Sequence, residues 1–136
     1  MNRESWLPAS PASAPEARAI VRAAASELRL DGPTTWDLML ATTEAVANAV
    51  EHGKPCDPRG IYLGVEAHDG TIGIEVRDCG CFPPEPRSKK PDEQGGRGMP
   101  IIATIMDKLE VAPSREATRV RFEKRLATPE RPRKES

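Results

Sequence analysis

The sequence predicts an α+β fold, a two-layer sandwich with helices on one face of a mixed, mostly antiparallel sheet. Three observations carry this. Two helical stretches come first in the chain, a strong hairpin signal at Asp69-Gly70 joins two β-rich runs, and a further pair of alternating strands closes the sequence after a short helix. Strands and helices come in runs, α-α-β-β-loop-α-β-β, rather than in the strict alternation of a parallel sheet.

Each element has its own signal. The first twelve residues hold "ESWLP", which reads as an edge strand ended by prolines. A helix then opens at Ser13 in "SAPEARAIVRAAASELRL". Ser13 and Glu16 have capping-box spacing, Pro15 suits the first turn, and Ile20, Val21, Ala24 and Leu28 form an apolar stripe. "DGP" breaks the chain, and a second helix runs from about Thr35 to His52, with Gly53 placed for a C-cap. "GIYLGVEAHDGTIGIEVRDCG" is the hairpin. "CFPPEPRSKKPDEQ" is too polar to bury and too long for a simple turn, so Pro83 to Gln94 is expected to be a mobile lid. "GGRGMPIIATIMDKLEV" gives a glycine turn, a short helix and a strand, and "ATRVRFEKRL" pairs with "LEV" across "APSRE". The domain is expected to span 13–126, with a disordered polar tail over 127–136.

Composition excludes several classes. The chain has 136 residues, 30% of them charged, with a formal net charge of −1, so bulk charge makes no case for nucleic acid or an anionic membrane. No apolar run approaches the roughly 20 residues that span a bilayer, and the N-terminus lacks the apolar centre of a secretion signal. These features predict a cytoplasmic protein. Cys56, Cys79 and Cys81 are odd in number, which does not suggest a disulfide framework, and "CGC" lacks a second Cys/His pair to complete a zinc site. Small buried thiols are the expectation.

Chemistry is written on the second helix. In "TTEAVANAVEHG", Glu44, Asn48 and His52 stand four apart and form one polar stripe, while Leu38, Thr42, Ala45, Val46 and Ala49 share the apolar face. Glu44 and Asn48 lie roughly 40° apart at 100° per residue. A solvated helix edge would explain them, and so would a hydrated Mg²⁺ and an attacking hydroxyl to hold. Asp78 ends a strand with Gly80 following. That suits a carboxylate accepting from an exocyclic amine beside a flat ring, or equally an ordinary turn. "GGRGM" opens a helix, where glycine-turn N–H groups suit phosphate, although glycine clusters also mark plain turns.

Taken in order, Glu-x-x-x-Asn on a helix, Asp-x-Gly after a strand, Gly-x-Gly entering a helix and Thr118 on a late strand resemble the GHKL ATPase family. That family includes gyrase B, histidine kinase ATP domains and anti-sigma-factor serine kinases. The resemblance covers roughly Arg18 to Leu126, and no Walker-type "GxxxxGK[ST]" occurs. "TEAVANAVEHG" is similar to the N-box helix of the small anti-sigma serine kinases, and "GRGMPIIATIMDKLEV" to their second glycine box. No upstream helical hairpin offers a phosphoacceptor histidine, and His52 and His68 are poor candidates for that role.

The resemblance implies a Bergerat ATP-binding fold and a set of roles. Glu44 would orient or deprotonate an attacking serine hydroxyl, and Asn48 would bind the Mg²⁺ that bridges the phosphates of ATP. Asp78 would accept from the adenine amine, with Gly80 beside the ring and Thr118 supporting Asp78. Gly96, Gly98 and Met99 would line the nucleotide, and Arg97 would place charge near its phosphates. The implied partners are a sigma factor and an anti-anti-sigma protein of STAS type, with a serine of the latter as phosphoacceptor, and a homodimer as the assembly. One departure stands out: the first glycine box reads "DCGCF", with Phe82 where the family usually has its second glycine. A nucleotide-responsive binding module without phosphate transfer is therefore the alternative.

Overall fold

The structure, a computed structural model, describes residues 1–52, 60–78, 98–113 and 117–126. The C-cap expected at Gly53, all three cysteines, the expected lid at 83–94, Gly80, Phe82, Gly96, Arg97 and the tail 127–136 lie outside the described residues. The elements are β1 (Asn2–Leu7), α1 (Ser13–Glu27), α2 (Gly32–His52), β2 (Ile61–His68), β3 (Thr71–Asp78), α3 (Gly98–Ile105), β4 (Lys108–Pro113) and β5 (Thr118–Arg125). The strands form one sheet in the order β1-β2-β3-β5-β4, and every pairing is antiparallel.

Period-2 alternation decides which sheet face is covered. Ile61, Leu63 and Val65 of β2, Ile72, Ile74 and Val76 of β3, and Val120 and Phe122 of β5 are buried on one face. They cluster with Ala17, Val21 and Ala24 of α1, with Leu38, Ala41, Ala45, Val46 and Ala49 of α2, and with Ile102 of α3. The other face carries polar and aromatic residues that interact along it. Trp6 meets Tyr62 edge-on at 5.4 Å, Arg77 lies 4.3 Å over the Tyr62 ring, and Arg121 reaches Glu66 and Glu123 at 3.0 and 3.2 Å. The helices thus sit on one side of the sheet.

The Asp69-Gly70 turn is the two-residue hairpin that its sequence predicts. Both residues have positive φ, 52° and 75°, which the twist of tight hairpins requires and which aspartate and glycine tolerate. Two helix starts differ from expectation. Ser13 is not the cap of α1: the cap position is Ala12, and no side chain caps the helix. Ser13 is fully buried, and its hydroxyl donates to the Pro8 carbonyl, because the chain leaving β1 folds back across the helix entry. With Ala12 at the cap and no side-chain cap bond, the capping box of Ser13 and Glu16 is not formed.

The second helix begins at Gly32, ahead of the expected Thr35. "DGP" is its start rather than a break. Asp31 Oδ1 accepts from the Thr34 N–H at 2.7 Å, its carbonyl accepts from Thr35, and Pro33 fills a first-turn position where no donor is needed. The Thr34 N–H holds the Asp31 carboxyl below its ordinary range.

Candidate functional site

Which way the Glu44–Asn48 stripe faces follows from the neighbours of α2. Arg18 of α1 donates to Thr43 Oγ1 at 3.3 Å, so that side of α2 meets α1. Asp37 lies on another flank, 3.5 Å from Lys124 Nζ of β5, and the same ammonium donates to the Ile105 carbonyl at the end of α3 at 2.8 Å. Glu44 is seven residues beyond Asp37, two helical turns and roughly 20° away, and Asn48 follows one turn later. Glu44 and Asn48 therefore sit on the flank turned toward α3, against which α2 packs.

Both are half-buried rather than exposed. Asn48 Nδ2 is buried and has no hydrogen-bond partner among the described residues. Water reaches a solvated helix edge, and it does not reach the Asn48 Nδ2. A buried amide with one end unsatisfied costs stability unless a ligand completes it.

Asp78 is the last residue of β3. It continues the inward row of Ile72, Ile74 and Val76, and only 8% of its surface is exposed. A carboxylate thus stands where the alternation has placed only aliphatic side chains. Its cross-strand partner is Thr118, the first residue of β5. The two are register neighbours without a hydrogen bond between them: Thr118 Oγ1 is buried and has no partner among the described residues. Gly98 opens α3, and the half-buried Met99 packs against the core. The end of β3 and the start of α3 bracket residues 79–97, the stretch to which the adenine and phosphate residues Gly80, Gly96 and Arg97 were assigned.

Thr42, read as part of the apolar face, is fully buried there, and its hydroxyl also has no partner among the described residues. The Asp37–Lys124–Ile105 connection that orients the site has no local sequence signal, since its members come from three separate elements. A surface groove of about 470 Å³ lies between β1 and α1, lined by Arg3, Ser5, Glu16 and Ile20 among others, and contains none of the candidate residues. Among the described residues no group of three or more His, Cys, Asp or Glu forms a metal cluster. A cation here would need Asn48 and ligand oxygens, and the incomplete hydrogen bonding of Asn48 and Thr118 fits a polar, phosphate-bearing ligand. No described helix is long and apolar enough to cross a membrane.

The profile of the histidine kinase-like ATPase domain matches residues 7–124. The chain is 37% identical over 123 residues to an anti-sigma F factor of Geobacillus stearothermophilus, covering 82% of this chain and 84% of that protein. It is 36% identical over 124 residues to an anti-sigma F factor of Clostridium botulinum (strain Alaska E43 / Type E3), covering 82% and 86%. In structure it resembles the RsbU and RsbW domains of Rv1364c from Mycobacterium tuberculosis, with a TM-score of 0.77 and 24% identity over 96% of this chain and 34% of that one. A histidine kinase domain from Erythrobacter litoralis EL346 aligns with a TM-score of 0.56 and 21% identity, over 68% of this chain and 45% of that one. At these identities the two structures speak for the fold alone.

Proposed function

The chain belongs to the histidine kinase-like ATPase family, and from that premise we propose that it is an ATP-dependent anti-sigma regulator with serine kinase activity. The observation that carries the reading is Asn48, half-buried, whose Nδ2 is buried and unsatisfied among the described residues, one turn from Glu44 on the flank facing α3. The similarity to anti-sigma F factors supplies the class of partner. The protein holds a sigma factor and phosphorylates a serine on an anti-anti-sigma protein of STAS type, in the cytoplasm and as a homodimer.

Each side chain has a role in that reaction. Asp78 accepts a hydrogen bond from the adenine amine, and Thr118 lies beside it to complete the polar end of the pocket. Gly80, Gly96, Arg97, Gly98 and Met99 border the nucleotide. The amide oxygen of Asn48 would hold Mg²⁺, which would supply neutralisation of phosphate charge, and its Nδ2 is free to donate to a phosphate oxygen. Glu44 orients the attacking serine hydroxyl and takes its proton as the oxygen bonds to the γ-phosphorus and ADP departs. Phosphoryl transfer asks mainly for positioning and charge neutralisation, which these groups supply without covalent participation.

Phe82 favours a second reading, a nucleotide-responsive module that grips its partner and transfers nothing. Incubating the protein with γ-labelled ATP and a candidate anti-anti-sigma protein separates the two. Label on the acceptor's serine supports the kinase, and partner binding without label supports the module.

A further inference from the structure

The helical layer carries another surface, at the end of α2 opposite to Asn48. Trp36 is 65% exposed, the most exposed of the large hydrophobic side chains described. It stands twelve residues before Asn48, roughly 18 Å along the helix axis. The Arg18–Thr43 hydrogen bond sets the register of the α1–α2 hairpin. Counted back through an antiparallel pair, Arg22 passes beside Met39 and Leu40, and the end of α1 passes beside Trp36. Trp36 and Leu40 lie one turn apart on α2.

The charges at this end are unbalanced. Glu27 is taken by Arg3, Asp31 by the Thr34 N–H, and Asp37 by Lys124. The side chains of Arg22 and Arg29 are exposed and make no ion pair or hydrogen bond among the described residues. Arg29 moreover occupies the left-handed region, φ 56°, just past the end of α1. Helices commonly place glycine there because it adopts that backbone without strain. An arginine at this turn has no structural advantage that the fold displays.

We propose that Arg22, Arg29, Trp36 and Leu40 form a docking surface for an acidic segment of a protein partner, one carrying an apolar side chain to set against the indole. Exposed Trp and Arg together are the residue types that dominate protein interfaces. Unpaired cations around them select an acidic partner and steer its approach. Nucleic acid is disfavoured, because two cations on a chain of net charge −1 give few phosphate contacts. A second copy would bring the same arginines against these, like charge on like. None of the four residues is a candidate nucleotide or catalytic residue, so the surface stands apart from the phosphate-transfer reading.

The chain has two tryptophans, so Trp6→Phe in the whole chain leaves Trp36 as its single indole reporter. Its emission is followed while a short synthetic peptide of Asp and Glu around a central Leu-Phe pair is added. The same peptide with Lys for every acid, and a dT oligonucleotide, are titrated in parallel. The acidic peptide alone should shift emission to the blue and protect the indole from acrylamide, more weakly as salt rises. Trp36→Ala should weaken binding roughly thirtyfold, and Arg22→Glu with Arg29→Glu roughly tenfold, both read by anisotropy of labelled peptide on the otherwise wild-type chain. That anisotropy series also decides the matter if Trp6→Phe disturbs the fold. No response to the acidic peptide, an equal response to the basic peptide or the oligonucleotide, or a blue shift with protein concentration alone would each overturn the proposal.

Discussion

Asp78 and Thr118 face each other across the β3–β5 ladder on the covered face of the sheet, the carboxylate nearly buried and the hydroxyl buried without a partner among the described residues. Such a hydroxyl adds nothing to the stability of the empty protein. Its value would come with a bound polar group.

Thr118→Val tests this directly. Valine keeps the shape and the β-branching that suits a strand, and removes only an unsatisfied hydroxyl. The unfolding midpoint should stay level or rise, while ATP affinity falls by about 1 kcal/mol. Calorimetric titration beside a thermal melt reads both, and unchanged affinity would take Thr118 out of the site.

Asp78→Asn should have a larger effect on binding. An amide can present a donor to the adenine amine in place of an acceptor, and losing a charge-assisted hydrogen bond costs on the order of 1.5–3 kcal/mol. ATP should bind correspondingly more weakly in calorimetry, and equal affinity would assign adenine recognition elsewhere.

Glu44→Gln separates the kinase from the binding module. The substitution keeps size and removes basicity, and the adenine contacts proposed above lie on other residues, so nucleotide affinity should barely change. Phosphate transfer should drop by roughly 10²–10⁴-fold, the usual contribution of a positioned base. Equal measurable transfer by wild type and variant would reject Glu44 as the base, and equal absence of transfer would favour the module.

Asp31 caps α2, and its loss should be felt as stability with a defined pH dependence. Near neutrality, Asp31→Ala should lower the melting temperature and Asp31→Asn should largely preserve it, since asparagine also caps helices well. The folded pKa lies below its ordinary 3.8 because of the Thr34 N–H. The stabilisation is therefore complete above that ordinary value and is lost as pH falls through the lowered one. Melts on either side of this window should show the gap between wild type and Asp31→Ala narrowing in acid. A constant gap would mean that charge has no part in the cap.

Local chemistry was legible in the sequence and long-range geometry was not. Asp69-Gly70 could be read because two adjacent residues decide a tight turn, and Asp78 could be placed at a strand end because the β-rich run stops there; that it closes the inward row needed the sheet. Ser13 misled, because the carbonyl that claims its hydroxyl is Pro8, brought there only when β1 joins the sheet. "DGP" misled for a different reason: Pro33 ends a helix in most positions but fits its first turn, and Asp31 supplies the cap. The spacing of Glu44 and Asn48 showed that they share a flank. It could not show that the flank faces α3, which depends on Lys124 reaching back to Asp37. Likewise, nothing local indicated that Asn48 and Thr118 would be buried with their hydrogen bonding unfinished.

The strand order has a consequence for how the protein is made. β5, the last of the described strands in chain order, is an interior strand, inserted between β3 and β4. Until residues 118–125 emerge, a nascent chain can form the β2–β3 hairpin and the α1–α2 pair, but one side of β3 remains an open edge with unpaired backbone groups. Thr118 meets Asp78 only when β5 inserts. Nucleotide capture should thus be a property of the finished chain, and a stalled or truncated one should fail to bind ATP while exposing β3 to pairing with other strands.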